Sequence, residues 1–114
     1  MRRVFLDENV EPEFKEILLE FDCESVASLG LMGFRNGELL RRAAALSFHV
    51  FLRKDRSISH QNPIAKIGIS VVVLKGPGKL ADKFREKPEE LITTLNHIPI
   101  GETREVTVPA GDSK

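Results

Sequence analysis

Three acidic residues, far apart in the chain, share one kind of local setting. Asp7 directly follows an apolar run at 4–6, and Asp55 follows a second one at 48–52 by three residues. Glu38 lies two residues after Asn36, a good helix N-cap. Each acid has an ordinary use: Asp7 in a turn, Glu38 against a helix dipole, Asp55 in an ion pair with Arg53 or Arg56. Brought to one point they do something else. Three carboxylates repel one another unless a cation neutralises them. An all-oxygen donor set suits Mg²⁺ or Mn²⁺, which keep several waters and also bind substrate phosphate. Such an ion activates water and stabilises in-line displacement at a phosphodiester. Asp7, Glu38 and Asp55 are therefore the candidate catalytic and metal-binding residues.

Other groups surround these acids in the sequence. Asp7 is followed by Glu8 and Asn9, one suited to reach a metal through water and the other to shape the turn. "RKDRSISHQNP" places Arg53, Lys54, Arg56, His60 and Asn62 around Asp55. Cations and amides beside a metal site suit a nucleic-acid backbone, so these five residues and Asn9 are the candidate substrate-binding groups. His60 near Ser57 and Ser59 raises nucleophilic catalysis, but no Gly-x-Ser-x-Gly elbow accompanies them. His49 falls in a predicted strand and His97 near a helix end, where structural roles suffice.

The elements that must position these groups alternate. Residues 3–6 read as a short strand. Residues 10–21 read as a helix, with Pro12 in its first turn and Phe14, Ile17, Leu18 and Phe21 on one face. A weaker strand is expected at 24–28, a two-glycine loop at 30–34, and a helix over 36–46 with Leu39, Leu40, Ala43 and Leu46 inward. Strands follow at 48–52 and 69–74; "ISVVVL" has the continuous β-branched character of a strand buried on both faces. "KGPGK" punctuates the chain, and Pro88 opens a last helix with Leu91, Ile92, Leu95 and Ile98 inward. Residues 103–108 suit an edge strand and 109–114 a frayed tail.

This alternation predicts an open, mainly parallel α/β sheet with helices on both faces. In such a sheet ligands bind at the carboxyl edge. Asp7, Glu38 and Asp55 all belong to that edge.

Composition narrows the class further. The chain has 114 residues, 41% apolar and 30% charged, with zero net charge. That is one domain's worth of core. No apolar run approaches the roughly 20 residues of a membrane span, and the start is too short in apolar residues for a signal-peptide core. A cytoplasmic protein is the expectation. Cys23 is the single cysteine, which excludes an intramolecular disulfide and a thiolate metal cluster. Charge is uneven: residues 1–24 carry eight acids and three bases, and residues 35–87 carry twelve bases and four acids.

"FLDEN", "NGELLRRA", "HVFLRKD" with "HQN", and "ISVVVL", in that order, resemble the small stand-alone PIN-like domains, similar to the VapC-type toxin ribonucleases. The resemblance covers residues 3–98. It implies a three-layer α/β/α domain with a four- or five-stranded, mainly parallel sheet over residues 1–108. It further implies Mg²⁺- or Mn²⁺-dependent RNA cleavage, an antitoxin partner and a homodimer. By position Asp7 matches the first-strand aspartate, Glu38 the helix glutamate and Asp55 the third acid. Two departures stand out. Arg53 replaces the family's hydroxyl residue two before the third acid, and no fourth acid follows Asp55 before Asp82. They make a non-cleaving PIN-like scaffold, binding RNA or protein, the first alternative. A phosphoacceptor receiver is the second, because an acidic pair after strand one and an aspartate after strand three also fit it. Receivers, however, carry a hydroxyl residue after strand four and a lysine after strand five.

Overall fold

The computed structural model describes residues 2–34, 36–54 and 64–108. Five strands and five helices follow one another: β1 (Arg3–Leu6), α1 (Phe14–Ile17), β2 (Asp22–Ser25), α2 (Asn36–Ala45), β3 (Val50–Lys54), α3 (Ile64–Ile67), β4 (Ser70–Lys75), α4 (Leu80–Glu86), α5 (Glu89–His97) and β5 (Thr103–Thr107). The strands form one sheet in the order β2-β1-β3-β4-β5, and every neighbouring pair is parallel. A parallel crossover needs intervening chain, which the helices supply.

Side chains alternate along a strand, so β1, β3 and β4 each feed two cores. Val4, Leu6, Val50, Leu52, Val72, Leu74 and Val106 join Phe14, Leu18, Phe84, Leu91 and Leu95 in one cluster. Phe5, Phe51 and Val71 join Leu39, Leu40 and Ala43 in the other, with Ile64 and Ile67 packed against it. Thus α1, α4 and α5 serve one face of the sheet, and α2 and α3 the other.

Several boundaries differ from the sequence reading, for local reasons. The helix expected over 10–21 is one turn, Phe14–Ile17. Leu18 leaves the helical basin at φ −104°, ψ 48°, and the chain turns so that Asp22 can lie beside Arg3 in the sheet. Phe14, Leu18 and Phe21 are still buried, while Leu19 is thrown outward, 80% exposed. Pairing with β1 also draws β2 two residues forward of its predicted start. Helix α2 ends in a Schellman-type turn: Ser47 takes φ 70°, and the Phe48 N–H donates to the Ala43 carbonyl at 3.0 Å. That turn consumes Phe48, shifts β3 to Val50–Lys54 and leaves Leu46 partly exposed rather than inward. Helix α4 follows "KGPGK" on the spacing of Leu80, Ala81 and Phe84. Ile98 is buried at the end of α5 and β5 forms an edge, both as expected. No helix among the described residues is long and apolar enough to cross a membrane.

Candidate functional site

Strand order reverses direction beside β1, between β2 on one side and β3 on the other. In a doubly wound sheet the carboxyl end of such a switch point is where ligands bind. Asp7 stands there. Its N–H donates to the Leu52 carbonyl at 2.9 Å, continuing the β1–β3 ladder one residue past β1. Its carboxylate Oδ1 accepts the Glu8 N–H at 2.8 Å, and its carbonyl accepts the Val10 N–H at 3.0 Å. Asp7 thus shapes the turn and also occupies the edge; the two uses are compatible.

Leu6 is paired with Leu52, so the next residues in register are Asp7 and Arg53. Arg53 and Lys54 belong to β3 itself, paired with Val73 and Leu74, not to a loop beyond it. Parity separates them. Arg53 follows Phe51 onto the α2–α3 side, and Lys54 follows Leu52 onto the side of α1 and α4. Lys54 Nζ lies 3.4 Å from Glu11 Oε2, and the same oxygen accepts the Leu80 N–H at 2.9 Å. Glu11 therefore ties the turn after β1 to the end of β3 and the start of α4. Residue separations of 43 and 69 explain why no local pattern revealed it. Its one signal in the sequence is a carboxylate set between Val10 and Pro12.

Glu38 is in the first turn of α2, about half exposed. Its Oε2 is 3.0 Å from Arg42 Nε, and Oε1 is 3.9 Å from Arg41. The Arg42 guanidinium in turn lies 4.3 Å over the Phe34 ring. These i,i+3 and i,i+4 pairs are ordinary helix-surface contacts. Asp55, Arg56, His60 and Asn62 lie outside the described residues. Among the described residues no group of three His, Cys, Asp or Glu side chains could hold a metal.

Among the described residues, three buried polar atoms have no hydrogen-bond partner: Asn9 Oδ1, Glu11 Oε1 and Arg53 Nε. All three belong to the segment after β1 or to the end of β3. Buried polar atoms are nearly always paired, so unpaired ones concentrate where a ligand, ion or water is received.

His49, His97 and Cys23 have structural surroundings. His49 Nδ1 accepts the Arg3 N–H at 3.0 Å; burial, and then the Arg2 charge, hold its pKa below the usual imidazole value. His97 Nδ1 lies 2.9 Å from the Thr93 carbonyl at the end of α5. Cys23, half-buried in β2, has its thiol pKa pushed up to about 11 by burial and then by Asp22.

Fold and edge together define a class: an all-parallel, doubly wound α/β domain with a polar carboxyl edge at its switch point. Comparison with family models, with curated proteins and with solved structures found no match.

Proposed function

We propose that this chain is a PIN-like, Mg²⁺- or Mn²⁺-dependent ribonuclease, acting as the toxin of a cytoplasmic toxin–antitoxin pair. The observation that carries the reading is the position of Asp7, one residue past β1 at the switch point and in ladder contact with Leu52 of β3. Glu38 supports it from the first turn of α2, the helix that follows β2, and the reading requires Asp55, three residues after Leu52, to complete the set. The donors are carboxylate oxygens, the chemistry that Mg²⁺ and Mn²⁺ accept. Such an ion supplies an activated water and offsets charge at the phosphorus. The chain's own residues do the rest. Arg53 and Lys54 bring two cations to the edge, where they bind and orient a phosphodiester backbone, joined by Asn9, Arg56, His60 and Asn62. Glu38 must exchange its Arg42 contact for the metal, and the exposed pair makes that exchange inexpensive.

A second reading draws on two observations. Glu38 is engaged by Arg42, and Arg53 stands in register with Asp7 where it would neutralise the carboxylate. They favour a PIN-like scaffold that binds RNA or a partner protein without cleaving. The sheet order also occurs in phosphoacceptor receivers. Against that reading, β4 ends in Lys75 and Gly76 without a hydroxyl.

The test is incubation of the purified protein with mixed structured RNAs and Mn²⁺, beside Asp7→Asn and EDTA controls. Cleavage lost in both controls is the expected result. Absence of cleavage from folded, antitoxin-free protein transfers the conclusion to the scaffold, with Arg53→Thr as the reverting substitution.

A further inference from the structure

Leu19 is the most exposed large apolar side chain among the described residues, at 80%. It sits in the turn after α1, flanked by Glu16 and Glu20, both exposed. Among the described residues, the Glu16 carboxylate is held only by an exposed contact with Arg85 at 3.5 Å. Glu20 makes no ion pair among the described residues.

Across the sheet, an open groove of about 540 Å³ runs between α2 and α3. Ala44, Ala45 and Ile67 give it an apolar floor, and Arg41 and Lys66 a basic rim. Lys66 is exposed and makes no ion pair among the described residues, and Arg41 reaches Glu38 only at 3.9 Å. One site is an apolar knob between acids; the other is an apolar socket between bases. The knob follows α1 and the socket lies between α2 and α3, helices on opposite faces of the sheet, so one molecule cannot bring its own two together.

We propose that Leu19 of one copy seats in the α2–α3 groove of a second copy, with Glu16 and Glu20 against Arg41 and Lys66. Two copies joined this way leave one knob and one socket free. The contact is head-to-tail and builds an open chain or a ring rather than a closed dimer. It is small beside the roughly 1,200–2,000 Å² of a stable interface, so association is weak and rises with concentration. Its ion pairs are exposed, so salt weakens it. The inference is independent of the nuclease reading.

Sedimentation velocity over a concentration series at low and high salt tests it, using wild type, Leu19→Lys and Lys66→Glu. Wild type is expected to form species beyond a dimer at high concentration and low salt, and each variant to stay monomeric. An equal mixture of the two variants is expected to stop at a dimer, because one retains its socket and the other its knob. Circular dichroism checks folding, with Glu20→Lys and Arg41→Glu as the replacement pair. Monomeric wild type under all conditions overturns the proposal. So do variants that associate like wild type, a closed wild-type dimer, or a mixture that remains monomeric.

Discussion

The two edges of the sheet are built differently. At the amino edge polar groups are matched. Arg2 Nη1 donates to the Leu95 and Ile98 carbonyls at 3.1 and 2.7 Å, closing the end of α5. Arg3 pairs with Asp22 at 2.8 Å, donates to the Leu46 carbonyl and lies 4.1 Å over Phe48. Fully buried Ser70 donates to the Pro99 carbonyl at 2.7 Å and accepts the Gly101 N–H at 3.1 Å. At the carboxyl edge, Asn9, Glu11 and Arg53 each keep a buried polar atom that has no partner among the described residues. A matched edge stabilises; an unmatched one costs stability, and that cost is retained where something is to be bound. The contrast sets a paired amino edge against the carboxyl edge to which the proposed function assigns its site.

Substitutions at the two ends break or sharpen this contrast. Asp7→Asn has the largest effect: RNA cleavage falls roughly 100-fold or more, while the thermal midpoint stays near wild type. A large loss of stability would instead make Asp7 a folding residue. At the other edge, Arg3→Ala is expected to cost about 2 kcal/mol in urea unfolding, since a charged hydrogen bond, a carbonyl contact and a ring contact go together. RNA affinity should be unaffected. Glu11→Ala removes the acceptor for the Leu80 N–H and the counter-charge of Lys54, and a loss of about 1 kcal/mol is expected. It should also raise RNA affinity, because Lys54 is released to bind phosphate; unchanged affinity would remove Lys54 from the binding surface.

Two smaller effects belong to the amino edge. Ser47 holds φ 70° at the end of α2, so Ser47→Gly should stabilise by up to about 1 kcal/mol. His49 sets a pH dependence. Its folded pKa is depressed, so the unfolded chain binds the proton more readily. Its contribution is complete above the ordinary imidazole value of about 6.5 and is lost as pH falls below it. The urea midpoint should drop modestly between pH 7 and 5.5, and His49→Asn should flatten that slope.

Much was legible in the chain because it depends on short-range pattern. The β-branched run of β4, the amphipathic pattern of α2, the spacing of Leu91 and Leu95 in α5 and the alternation of elements specified a parallel α/β sheet. They also put Asp7 one residue past β1 at the carboxyl edge. The sequence alone determined which residues are apolar, at what period, and where acids interrupt them. Strand order, the shift of Arg53 and Lys54 into β3, the single-turn α1 and the link from Glu11 to Lys54 and Leu80 were decided by tertiary structure. The physical reason is range. A hydrogen bond between residues 69 apart leaves no periodic trace, and a strand's ends are set by the neighbour with which it pairs.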